Sequence, residues 1–249
     1  MSDLMRAIRA RQSTRTSFDR RRRVEAEKVE KIIEAARWSP TPHNMQNFEI
    51  VVVDSQELLR DIGRVKSKTS EDFIRENYEQ LSFSRKELSE KKVGILGEYF
   101  PAEWRNPARF ASAARNSPPR PLDDTIDGSP LLMIFLYDPA RRAPASEGDF
   151  LGILGLGCVM ENAWLMATSL GLGVQVMSVF GGEGVEKRVR QILGVPSSRR
   201  IAFALRLGYP VRRPRNYPRV RRDPLMLSYR NGYGAAHRGL AQRAGAPSK

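Results

Sequence analysis

A chain of 249 residues with 41% hydrophobic content is long enough to bury a substantial core in one domain. A single cysteine, Cys158, and two histidines, His43 and His237, exclude an internal disulfide and any cysteine- or histidine-rich metal centre. The net charge of +14 gathers at Arg20 to Arg23 and at Arg212, Arg213, Arg215, Arg219, Arg221 and Arg222, and implies anions nearby: nucleic-acid phosphates, one small phosphorylated ligand, or solvent counter-ions alone.

The first residues, MSDLMRAIRARQ, carry arginines where a secretory segment needs an apolar run, so a cytoplasmic protein is expected. Leu4, Ile8 and their neighbours build a short amphipathic helix that ends at Arg11-Gln12-Ser13-Thr14-Arg15. Val29, Ile32, Ile33 and Ala36 predict a helix from about Glu25 to Trp38, stopped by Ser39-Pro40. A polar, proline-stiffened loop from Thr41 to Asn47 then runs into a β-branched strand, residues 48 to 54.

Helical patterns follow from Ser55 to about Lys66 and from Ser70 to Leu96. Gly97 to Asp127, with five prolines at 101, 107, 118, 119 and 121, reads as a loop-rich excursion of the kind that shapes a ligand pocket. Trp104, Phe100 and Phe110 are its candidates for an aromatic lid.

Leu131 to Tyr137 is a second buried strand, Asp149 to Leu170 a long apolar helix, and Gly173 to Phe180 a third strand. Phe150 to Phe180 holds one formally charged residue, Glu161, and is long enough to span a bilayer. Glu161-Asn162 near its middle and the break at Gly171-Leu172-Gly173 favour instead a helix, turn and strand buried in a core or subunit interface. An amphipathic helix with Val185, Val189, Ile192 and Leu193 inward precedes a fourth strand, Ile201 to Leu207. Strands separated by helices predict an α/β layered domain over residues 1–230, and the tail 231–249 is expected to be disordered.

No nucleophile elbow, zinc-protease helix or Walker A loop occurs, and Gly152, Gly155 and Gly157 do not follow a strand as a dinucleotide fingerprint requires. A cofactor that brings its own reactivity is therefore the economical hypothesis. Arg11 and Arg15, with Ser13 between them, can offer charge and a hydroxyl to a phosphate or a polarised ring. The loop Ser39-Pro40-Thr41-Pro42-His43-Asn44-Met45-Gln46 can bind the edge of a planar heterocycle. At Val179-Phe180-Gly181-Gly182, two residues without side chains let backbone N–H groups approach a flat ring.

These segments, in this order, resemble the FMN-dependent nitroreductase family. The resemblance rests on R-x-S-x-R near the N-terminus, A-A-R-W-S-P-x-x-x-N-x-Q before the first strand, Glu161 to Gly173 as a central helix, and Arg221-Arg222-Asp223-Pro224-Leu225. It implies an α+β fold with a mixed central sheet flanked by helices, in an intertwined homodimer with FMN at the interface. By position, Arg11, Gln12 and Ser13 would hold the phosphate and ribityl chain, with Arg221 and Arg222 returning to the phosphate. Arg15 would lie on the N1–O2 side of the flavin, where a positive charge about 4 Å from developing negative charge is worth about 4 kcal/mol at an effective dielectric near 20. Pro40, Thr41, Asn44 and Gln46 would reach the partner's flavin, and Val179 and Gly181 would face N5.

The implied reaction is a ping-pong transfer of hydride from NADPH or NADH to a small acceptor, a nitroaromatic, quinone or activated alkene. Alternatives at this stage are a non-catalytic nucleic-acid-binding protein and a specialised flavin oxidase or dehydrogenase on the same fold. Two departures bear on the site: Gln46-Asn47-Phe48 stands where many members have Q-P-W, and Phe180 where an acidic residue is frequent. His43 is either a proton donor to the acceptor or a structural loop residue.

Overall fold

A computed structural model describes residues 2–80, 82–99, 101–126, 128–144, 148–212 and 218–235. The chain divides into two compact units, residues 1–67 with 119–215, and residues 68–118 with 216–249.

The first unit is built on four strands, β1 (Glu49–Val53), β2 (Leu131–Tyr137), β3 (Gly173–Met177) and β4 (Arg200–Gly208), in the order β1-β2-β4-β3 with antiparallel neighbours. The central strand β2 reads LLMIFLY because both of its faces are covered. Leu131, Met133 and Phe135 enter one core, while Leu132, Ile134 and Leu136 enter the other, as the two-residue period of a strand requires. Beyond the β3 edge the chain near Ser13 adds a bridge to Val174 that is parallel, so the sheet is mixed, as expected.

Helices α1 (Asp3–Ala10) and α2 (Ala26–Arg37) open the unit, and α3 (Gln56–Gly63) follows β1. After β2 comes α4 (Phe150–Ser169), and α5 (Glu183–Leu193) lies between β3 and β4. Ile32 and Ala36 of α2 and Val159, Ala163 and Ala167 of α4 pack against Phe135 and Phe203, whose rings stack 4.4 Å apart. On the opposite face, Leu59 and Ile62 of α3 and Val185 and Val189 of α5 cover Leu132, Ile134 and Ala204.

By length and composition α4 could cross a membrane. It buries Gly155, Val159, Ala163, Trp164 and Ala167 in this unit, yet Phe150, Ile153 and Leu154 remain exposed.

The second unit departs from the expected long helix over 70–96. A helix Glu71–Arg75 runs into one wide turn, Glu76–Gln80, and a separate helix, Arg85–Lys91, begins at Ser84. The serines cause the break. Ser82 Oγ donates to the carbonyl of Asn77, and Ser84 and Glu87 form a reciprocal capping box that starts a new helix. The stretch read as a loop-rich excursion holds short helical turns and the helix Phe110–Asn116. Phe110 is buried there with Ile74 and Ala114, and Trp104 meets Phe73 edge-on at 6.1 Å. Trp104 and Phe110 thus act as packing residues of this unit, and Phe100 lies outside the described residues. So do Arg213, Arg215, His237 and most of the tail.

Candidate functional site

The N-terminal segment is fixed to the sheet by backbone and side chain together. The Thr14 amide donates to the Val174 carbonyl at 2.8 Å, and the Val174 amide donates to Thr14 Oγ1 at 3.2 Å. Four residues on, Phe18 drops into a hollow where Gly173 and Gly208 face each other across β3 and β4. A Cβ at Gly173 would stand 2.6 Å from the Phe18 ring, and one at Gly208 would stand 3.1 Å from Phe18 and 2.6 Å from Pro130. Buried Arg206 of β4 stacks its guanidinium 4.8 Å from the same ring and donates to the carbonyls of Ile126, Thr14 and Thr16 and to Gln175 Oε1.

This seating sets the directions of the two arginines. Because the Ser13–Val174 bridge is parallel, Arg15 lies two positions further along, toward the β3 end that leads into the turn at Ser178–Gly181. Arg15 is exposed, and Gln12 and Ser13 are half-buried. At the other end Arg11 caps α1 and crosses to α4, with Nε 3.0 Å from Glu161 Oε1 and its guanidinium 4.7 Å from the centre of the Trp164 ring.

The second candidate segment packs on α4. Asn162 Nδ2 donates to buried Ser39 Oγ at 2.9 Å, and Thr41 and Pro42 lie over Gly155, where a Cβ would be 3.1 Å from the proline ring. Within the loop the Gln46 amide donates to Thr41 Oγ1 at 3.1 Å, and Gln46 Nε2 donates to Asn44 Oδ1 at 3.1 Å. His43, Asn44 and Gln46 take left-handed backbone angles, φ 48°, 52° and 45°. Non-glycine residues in that region each cost of order 1–3 kcal/mol, so the surrounding bonds over-determine the loop. Pro40 and His43 are exposed.

Asn47, the departure from Q-P-W, has a clear part in this. Its amide accepts from the Asp138 amide at 3.1 Å and donates to the carbonyls of Asp138 and Arg141 at 2.9 and 3.1 Å, tying the loop to the turn after β2. Arg199 reinforces the junction by pairing with Glu49 and Asp138.

The third segment is a correction. The strand expected to reach Phe180 ends at Met177, and Phe180 is fully buried beside Met177, Val185 and Val189. Its side chain points into the core, so the residue that stands where an acidic one is frequent is a packing residue here. Val179 is half-buried and Gly181 exposed, with no heavy atom within 4 Å of where a Cβ on Gly181 would sit.

Arg221 and Arg222 belong to the second unit. Both are exposed, and Arg221 Nη1 donates to the Val220 carbonyl at 2.8 Å. The structure therefore brings Arg11, Gln12, Ser13 and Arg15 together in the segment seated beside β3, and Thr41 and Pro42 onto α4, with Asn44 and Gln46 further along the same loop. Arg206, Asn47 and Glu161 were missed as supporting residues. The signal for Arg206 was present: a lone arginine within the apolar run Ile201 to Leu207.

The fold is shared with solved nitroreductases. A nitroreductase with bound FMN from Bacteroides fragilis matches at 19% identity and TM-score 0.51, covering 85% of this chain and 90% of that one. An FMN-dependent nitroreductase from Clostridium difficile matches at 18% identity and TM-score 0.55, covering 91% and 98%. The chain itself belongs to the nitroreductase family, whose model matches residues 8–209, and it is an oxidoreductase. A relative from Archaeoglobus fulgidus, provisionally named an NADH dehydrogenase/NAD(P)H nitroreductase, is 25% identical over 210 residues, covering 84% of this chain and 87% of that one.

Proposed function

We propose that the protein is an FMN-dependent NAD(P)H oxidoreductase acting as a homodimer. The observation that carries the reading is the parallel seating of Ser13 on Val174, which lays Arg11 to Arg15 along the strand that leads to the Gly181 turn. Two guanidiniums, a half-buried hydroxyl and an open glycine backbone fit a phosphorylated planar cofactor.

When bound, FMN supplies the hydride chemistry, by a ping-pong exchange from NADPH or NADH to a nitroaromatic, quinone or activated alkene. Arg11, Gln12 and Ser13 would hold the phosphate and ribityl chain. Arg15 would stabilise negative charge on the ring's N1–O2 side, and Val179 and Gly181 would present backbone toward N5. Pro40, Thr41, Asn44 and Gln46 would complete the partner's site. Exposed Trp38 after α2 and Phe150 and Ile153 of α4, at 73%, 64% and 61% accessibility, leave apolar surface on the first unit that supports a second copy covering it.

The test is the visible spectrum of the purified protein after FMN reconstitution, followed by anaerobic NADPH or NADH. A flavin band bleached by a nicotinamide is expected. A protein that retains no flavin overturns the reading, and a monomer by light scattering overturns its dimer.

A further inference from the structure

Glu161 is the single formally charged residue between Phe150 and Phe180, set in a helix otherwise made of apolar, small and neutral polar side chains. A half-buried carboxylate in such surroundings is costly unless a cation meets it. Arg11 does so, Nε to Oε1 at 3.0 Å, with 25% of the arginine and 38% of the glutamate side chain accessible. Trp164, one turn on along the same face of α4, supplies an aromatic surface to the same guanidinium, 4.7 Å from its ring centre. Its indole Nε1 is buried and makes no hydrogen bond among the described residues, so the ring face is what Trp164 offers here. Asn162, between the two, is engaged with Ser39.

Carboxylate and phosphate seek the same guanidinium fork. We propose that Glu161 is a built-in competitor at Arg11, an affinity-setting residue that a phosphate-bearing ligand must displace or share. This deepens the FMN reading above and rests on Arg11 as the phosphate ligand. The carboxylate cancels the Arg11 charge when no phosphate is present, so binding at this corner depends on exchange between two anions. Its physical consequence is that removing the Glu161 charge while keeping its shape tightens phosphorylated ligands selectively.

The experiment compares FMN with riboflavin, which lacks the phosphate, on full-length protein and on Glu161→Gln, by quenching of flavin emission. FMN binding is expected to tighten about 3- to 10-fold, the range for a half-buried charge pair, with riboflavin unchanged. Arg11→Ala should weaken FMN and abolish the gain from Glu161→Gln. If Arg11→Ala leaves FMN affinity unchanged, the phosphate assignment itself fails. If Arg11→Ala weakens FMN but Glu161→Gln leaves it equal or weaker, that assignment stands and the competitor role is overturned. A second measurement avoids altering the pair: with Trp38→Phe and Trp104→Phe, Trp164 is the only tryptophan. Inorganic phosphate should then change its emission over the concentrations that displace FMN. An unchanged emission over that range also overturns the competitor role.

Discussion

Arg206 in β4 donates from Nη2 to the carbonyl of Thr14, 3.1 Å away and 192 residues earlier in the chain. The same guanidinium reaches Ile126, Thr16 and Gln175, so one buried side chain fixes the N-terminal segment to the sheet. Arg206→Met keeps much of the volume and leaves several buried carbonyls without donors. A loss of roughly 3–5 kcal/mol is expected in urea unfolding, with weakened FMN retention. Arg206→Lys should recover little, because an ammonium cannot span the planar fork. A stability loss below about 1 kcal/mol for Arg206→Met would show that backbone pairing at Thr14 suffices.

Phe18 and Gly173 make a second fixed point of the same segment. Gly173→Ala places a Cβ 2.6 Å from the ring, 2.9 Å from Pro210 and 3.0 Å from Thr14. Such overpacking costs about 1–3 kcal/mol. Phe18→Leu also costs stability alone, by opening a void, but the double variant should be more stable than the sum of the two losses implies. A double-mutant cycle in urea measures the coupling; simple additivity would mean that the ring moves aside freely.

The main layers were legible because periodicity depends on burial: the β2 run and the inward stripe of α5 both enter the cores they predict. The ends of elements were less so. Phe180 continues the apolar pattern of β3, and only tertiary packing shows that its backbone has already turned at Ser178. The break at Ser82 to Ser84 depends on side-chain bonds that compete with helix, which a helical stripe does not reveal. In the candidate site, Arg11, Ser13 and Arg15 stand out by residue type, whereas Glu161 and Asn47 act through partners far along the chain. Long-range pairing of that sort leaves no local signal.

Glu186 in α5 gives a pH dependence with a defined sign. Burial alone would raise its pKa, but hydrogen bonds from Arg200 and the Ile201 amide, with the charges of Arg200 and Arg190, hold it below the ordinary 4.5. The group is therefore easier to ionise in the folded protein than in the unfolded chain. Its stabilisation is complete above pH 4.5 and is lost as pH falls through the lower folded value. Glu186→Gln should be less stable at pH 7 and should narrow the gap to the parent as acid is added. Urea midpoints from pH 7 to pH 3 test this, and parallel curves would remove Glu186 as a source of acid sensitivity. Glu25 and Glu34, both held at about 2, contribute to the acid response of parent and variant alike.

Asn47 provides the most local test of how the loop is held. Its amide makes one accepted and two donated hydrogen bonds to the turn at Asp138 to Arg141. Asn47→Ala removes all three, at a cost of about 1–3 kcal/mol, and exchange of the Gln46 amide with solvent should accelerate. Asn47→Asp keeps the acceptor but turns a carboxylate oxygen toward two carbonyl oxygens. It should therefore be less stable than Asn47→Ala at pH 7, although it is nearer in shape. The ranking Asn above Ala above Asp, measured by thermal unfolding, follows from donor geometry. The reverse order of Ala and Asp would mean that the Asp138 amide alone anchors the loop, and the left-handed angles at His43, Asn44 and Gln46 would then have to be maintained by Thr41 and the contact with Gly155.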